Sequence, residues 1–138
     1  MWQDQSFRGN DMNNLNPTEK KFENFIEKYL NLIEYKSIHY ERYDRILCLI
    51  KDEVLEFIKK TQKNSWKKLQ DIYEDDTENK VLNRISSEIS RRGVIDVLRN
   101  QVSDRGVYLD LCYFEPKSDL NPDHFNLFKS NQFSLVRQ

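Results

Sequence analysis

The spacing of the apolar residues changes along this chain, and that change does most to limit the folds open to it. Between residues 16 and 93 most stretches repeat their large apolar side chains every three or four positions, as a helix with one covered face requires. At "VYLDLCYF" the repeat shortens to two: Val107, Leu109, Leu111 and Tyr113 fall on one side of an extended chain, and Tyr108, Asp110, Cys112 and Phe114 on the other. A chain that carries both periods is a mixed α/β protein. Here it is mainly helical, with about five or six helices followed by strand, helix and strand.

The first helix opens at "NPTEKKFENFIEKYLNLI". Asn16 stands as the cap, Pro17 suits the first helical position, and Glu19 sits where a capping-box carboxylate reaches back. Phe22, Phe25, Ile26, Tyr29, Leu30 and Ile33 follow on one face, which reads as core packing rather than as a platform for stacked bases. Tyr35 to Ile50 has no clean period and leaves room for a short strand near Ile46 to Leu49. Two shorter helices follow, one with Val54, Leu55 and Ile58 on its inner face, the next with Trp66, Leu69, Ile72 and Tyr73. Thr77 caps another, in which Val81, Leu82, Ile85 and Ile89 make the buried stripe, Arg91 and Arg92 complement the negative end, and Gly93 stops the helix. "VIDVLRNQV" adds a helical turn or two, and "SDRG" is a turn by composition. Past the loop Glu115 to Leu120, "NPDHFNLF" repeats the Asn-Pro opening, and Phe133, Leu135 and Val136 make a closing strand of "NQFSLVRQ".

The 138 residues and 16.8 kDa suit one domain. Charged residues make up 33% of the chain, yet 12% are aromatic, which argues for a folded protein with a well-solvated surface. Residues 1–15 are polar and Asn-rich. They read as a disordered tail, with Met12 an alternative start, and contain no apolar run that would make a signal peptide or a membrane segment. Cys48 and Cys112 lie far apart with no C-x-x-C spacing, so they read as reduced, buried thiols of a cytoplasmic protein. A formal net charge of −1 gives no long-range attraction for nucleic acid.

Motif by motif, the chain is poor in chemistry. Glu-x-Lys occurs four times, in a sequence rich in both residues. Only Glu115 and Lys117 follow a strand; Asp110 precedes them, but a separation of five puts Asp110 and Glu115 on opposite faces, and Pro116 ends the pairing. His39 and His124 are isolated and suit the surface or a helix start. Arg91, Arg92, Arg99 and Arg105 are interspersed with Asp96 and Asp104, and helix-end capping accounts for the first two. Gly9, Gly93 and Gly106 build no glycine-rich loop, and no Walker-type Gly-Lys-Ser or Gly-Lys-Thr occurs.

One resemblance goes further. "FIKKTQKNSWKKL", "RRGVIDVLR" from Arg91 to Arg99, "YFEPKSDLNP" from Tyr113 to Pro122 and the closing "VRQ" of Val136 to Gln138 resemble, in the same order, the N-terminal region of the R (restriction and motor) subunit of type I restriction-modification enzymes. The resemblance spans roughly residues 18 to 138. It implies that residues 16–138 are the N-terminal portion of a PD-(D/E)xK-type nuclease domain, incomplete at its C-terminus. The intact subunit would cleave unmodified DNA after ATP-dependent translocation, using Mg2+ and ATP, with methylation and specificity subunits as partners.

In that family the catalytic Asp and Glu-x-Lys, and the Walker motifs of the motor, follow the position matching "VRQ". The resemblance therefore assigns no catalytic or cofactor-binding residue here and implies a chain inactive by itself. Such folds sometimes place one more Glu on the first helix near the metal, which would be Glu19, or alternatively Glu23. A reading from another class is a free-standing interaction or regulatory module that binds restriction-modification subunits.

Overall fold

The structure, a computed structural model, describes residues 17–118 and 120–137. In chain order the elements are α1 (Pro17–Leu32), β1 (Lys36–Ile38), β2 (Tyr43–Asp44), β3 (Leu49–Ile50), α2 (Lys51–Thr61) and α3 (Lys63–Tyr73). There follow α4 (Thr77–Arg92), α5 (Val94–Arg99), β4 (Val102–Asp104), β5 (Val107–Leu109), α6 (Pro122–Lys129) and β6 (Ser134–Val136). The chain is mixed α/β and mostly helical, with its strands in three separate pairs. The described residues divide into two compact units, 17–40 with 133–137, and 41–118 with 120–132. The expected tail, residues 1–15, and the Asn16 cap lie outside the described residues.

In the first unit β1 and β6 run parallel, with Lys36 opposite Ser134, Ser37 opposite Leu135 and Ile38 opposite Val136. The Lys36 N–H donates to the Phe133 carbonyl at 2.8 Å, and the rings of Tyr35 and Phe133 stack at 5.2 Å. Glu34 turns the chain out of α1 in a left-handed conformation, φ 72°. The closing strand read from the sequence is therefore present. β1 was not: three residues are too few to establish a period.

The face that α1 turns inward differs from the one its apolar period indicates. Glu23, Glu27 and Leu30 are half-buried, whereas Phe22, Phe25 and Tyr29 are 65%, 68% and 57% exposed, and Ile26 and Ile33 are exposed beside them. The stripe expected in the core is thus at the surface, with only Leu30 partly covered. Hydrogen bonds from Arg137 to Glu23 and Glu27 fix the polar flank of the helix in its place.

The second unit has the core. Ile58, Leu69, Val81, Leu82, Ile85, Val97, Val102 and Leu109 are fully buried, and Trp66, Leu55, Leu49 and Val107 complete the cluster. These are largely the inner faces read from helical spacing, so periodicity placed most of the core of α2, α3 and α4, but Ile72, expected on the inner face of α3, is exposed. Helix α4 packs on α2, α3, α5 and β4, and α3 also lies on β5. Asp76 rather than Thr77 occupies the cap position, in a left-handed turn with φ 51°, and Thr77 is buried as the first helical residue. Gly93, φ 84°, ends α4 as its sequence indicates and lets α5 start at once. Asn121 caps α6, its Oδ1 accepting from the Asp123 N–H at 3.0 Å.

The expected strand from Val107 to Phe114 is shorter in the structure. β5 pairs with β4 for three residues, Val102 opposite Leu109 and Asp104 opposite Val107, and stops at Leu109. β4 has no more residues to offer. Beyond it the Gln62 side chain takes the place of a strand: Nε2 donates to the Asp110 carbonyl and Oε1 accepts from the Asp110 N–H, each at 2.8 Å. Asn131 does the same for Tyr113, whose N–H donates to Asn131 Oδ1 at 2.9 Å while Nδ2 donates to the Tyr113 carbonyl. Two amide side chains thus satisfy part-buried backbone that a ladder would otherwise have to pair. The short strand expected near Ile46 to Leu49 is found shifted, as β3 at Leu49–Ile50 antiparallel to β2.

Candidate functional site

Glu19, the residue the resemblance offers to a metal, lies exposed in the first turn of α1. Glu23, its alternative one turn on, is committed elsewhere: its Oε2 accepts from Arg137 at 2.9 Å. The same guanidinium donates to Glu27 at 2.8 Å and to Asn24 at 2.7 Å, while the Ser37 hydroxyl lies 2.8 Å from Glu27 and 3.1 Å from Asn31. The Ser37 hydrogen bond and then Arg137 hold the Glu27 carboxyl below its usual range. This network ties α1 to β1 through Ser37 and to the residue that follows β6 through Arg137, and it is why the polar flank faces the strand pair. Among the described residues no three or more His, Cys, Asp or Glu side chains gather where they would hold a metal ion.

In the second unit the best-connected charge is Glu88, 2% exposed on α4. Arg91 donates to both its oxygens at 3.0 and 2.7 Å, Arg92 to Oε2 at 3.0 Å, and Arg84 lies 3.3 Å away. These partners, Arg91 first and Arg92 next, hold the carboxyl down at about 2. Arg92 also reaches Asp96 at 2.6 Å and the Gln101 carbonyl at 2.9 Å, binding α4 to α5 and to the start of β4. The arginines at this helix end are therefore structural, and more extensively so than capping alone requires. Arg105 stacks on Tyr73, 5.2 Å from the ring centre, and Arg99 is exposed.

Asp104, 4% exposed at the end of β4, faces the Tyr73 hydroxyl, which lies 2.7 and 2.8 Å from its two oxygens. Burial, then the neighbouring carboxylate, raises the Tyr73 phenol above its ordinary value. Asp110 and Glu115 do not meet: Asp110 Oδ1 accepts from Gln101 at 2.9 Å, and Glu115 is exposed. His39 and His124 are both exposed, the latter in the first turn of α6. Both cysteines are free thiols. Cys112 is half-buried, with its thiol pushed up by burial, but Cys48 is exposed, contrary to the expectation of two buried thiols.

A shallow groove of about 590 Å³ runs between α2 and the start of α4, lined by Asp52, Leu55, Glu56, Lys59, Lys60 and Glu78. Arg42 pairs with Asp52, and Lys59 pairs with Glu78 while lying over the Trp66 ring at 5.2 Å. On α3 next to it, Lys63, Lys67 and Lys68 are all exposed. In the sequence these lysines stand inside "FIKKTQKNSWKKL", one of the stretches that carry the family resemblance.

No helix among the described residues is long and apolar enough to cross a membrane. No protein family, curated protein or solved structure matches this chain.

Proposed function

We propose that this chain supplies the N-terminal portion of the nuclease domain of a type I restriction-modification R subunit, working in the cytoplasm and inactive in cleavage and ATP hydrolysis by itself. The observation that supports this reading is the build of the first unit. A helix over a parallel strand pair is the elementary piece of an α/β layer, and such layers cover both the sheet and the helix's apolar stripe. Here the stripe of Phe22, Phe25 and Tyr29 is exposed, and each strand has one partner among the described residues. Further strands of a nuclease sheet would extend the pair and cover the stripe, and would bring the catalytic carboxylates with them. Mg2+, ATP and the DNA substrate then belong to the intact subunit, and the methylation and specificity subunits to the complex around it.

A second reading, an interaction module that binds restriction-modification subunits, draws support from the second unit, whose core is closed by its own residues. One experiment separates the two. An R subunit deleted for its N-terminal region is mixed with this chain, Mg2+, ATP, unmodified DNA and the methylation and specificity subunits. Restored cleavage supports the nuclease-segment reading. Co-purification with the methylation and specificity subunits without any cleavage favours the module, and neither result sinks both.

A further inference from the structure

The ten residues 59–68 hold five lysines and no acid, and the next ten, 69–78, hold five acids and no lysine or arginine. The boundary falls within α3. Its first turn has no acidic residue and carries Lys63, its last turn has no basic one, and Asp71 and Glu74 lie at its end. This is the reverse of the order that stabilises a helix, whose N-terminus favours anions and whose C-terminus favours cations. The lysines are therefore not placed for the helix's own stability. Of the five, Lys59 is neutralised by Glu78, but Lys60, Lys63, Lys67 and Lys68 are exposed and have no ion-pair partner among the described residues.

We infer that the exposed lysines of α2 and α3 bind the phosphate backbone of a nucleic-acid duplex. Four ammonium groups without an ion pair suit a polyanion, although the exposed acids Glu56 and Asp71 stand one turn from Lys60 and Lys67 on the same helices, and lysines act on phosphates as point charges without reading sequence. The one large aromatic among them, Trp66, is 7% exposed, so the span has no platform on which single-stranded bases would stack. With Trp66 buried, the span 59–68 also lacks the apolar anchor that a protein partner or a bilayer would need, and lysine is depleted at protein interfaces. From Lys63 to Lys68 the helix rises about 7.5 Å, roughly two base-pair steps of 3.4 Å along a strand. The inference stands on charge and exposure in the second unit, independent of the R-subunit reading.

The test is fluorescence anisotropy of the full chain with labelled 20-base-pair DNA and RNA duplexes of arbitrary sequence, titrated between 50 and 200 mM salt. Four phosphate contacts give a log-log slope of about −3.6, or roughly a hundredfold loss of affinity across that range. Binding to both duplexes supports a contact made through the backbone, and binding to one alone supports it and identifies the source. The double variant Lys63→Gln, Lys67→Gln should lower the slope by about 2 and weaken binding uniformly across sequences. It should melt at the same temperature as the parent or higher, because it removes charge set against the helix dipole. The control Lys20→Gln, Lys117→Gln should bind as the parent does. The inference fails if neither duplex binds at 50 mM salt, if the double variant keeps the parental slope, or if phosphatidylserine vesicles bind more tightly than either duplex.

Discussion

The side-chain amide of Gln62 holds both backbone groups of Asp110, 48 residues away, donating to its carbonyl and accepting from its N–H at 2.8 Å each. Gln62 also sits at the joint between α2 and α3, where its side chain makes no cap bond. One residue thus locks the helix pair to the chain leaving β5. Replacing Gln62 with Ala leaves a part-buried N–H and C=O unpaired and should cost about 1–3 kcal/mol in urea denaturation. Gln62→Glu keeps the size but replaces the donating amide with an oxygen, so it should recover little of that loss. A variant as stable as the parent would show that water replaces the amide without penalty.

Asn131 makes the same pair of bonds to Tyr113, so the two amides flank one extended stretch. Their effects should couple, since Thr61 accepts from Gln62 and also bonds to the Tyr113 side chain, which joins the two sites in one network. Asn131→Asp removes only the donor and should destabilise by about 1 kcal/mol or more, read from the same denaturation curves. A double variant that loses the full sum of the two single ones would mean that the two sites act independently.

How far the sequence discloses this architecture depends on which physical signal each part leaves. Helices α2, α3 and α4 were legible because their buried residues recur at helical spacing, and Gly93 marks a stop that only a positive φ explains. The stretch from Val107 to Phe114 alternates like a strand throughout, yet ladder pairing needs a partner, and β4 supplies three residues. The substitutes, Gln62 and Asn131, lie 48 and 18 positions away and leave no local trace. For α1, periodicity correctly reports that one face is apolar but cannot say which face is covered; Glu23, Glu27 and Arg137 decide that. The lysine run was readable in principle, since the reversal of charge along α3 is visible in the sequence without coordinates.

That distinction between apolar and buried is measurable. Leu82→Ala or Ile85→Ala, each in the closed core, should cost about 2–5 kcal/mol. Phe25→Ser, on the exposed stripe, should stay within about 0.5 kcal/mol of the parent and should lower self-association seen by light scattering. If Phe25→Ser destabilised the isolated chain as much as Leu82→Ala does, the stripe would be covered in solution.

Glu88 sets the response of the second unit to acid. Its carboxyl is held at about 2 in the folded chain, below the ordinary 4.5, so the proton binds the unfolded state first as pH falls. The stability it contributes is fully present above about 4.5 and is lost progressively as the pH drops from there towards 2. Asp96, held low mainly by Arg92 and also by Asn100, shifts in the same direction. Urea midpoints of the parent should therefore fall through this window. Glu88→Gln should be less stable than the parent at pH 7, because Arg91 and Arg92 lose their shared anion, and its midpoint should fall less between pH 5 and pH 3. Parallel curves for the two proteins would show that the acid response arises elsewhere, and that the arginines at the end of α4 draw their order from Asp96 and the Gln101 carbonyl instead.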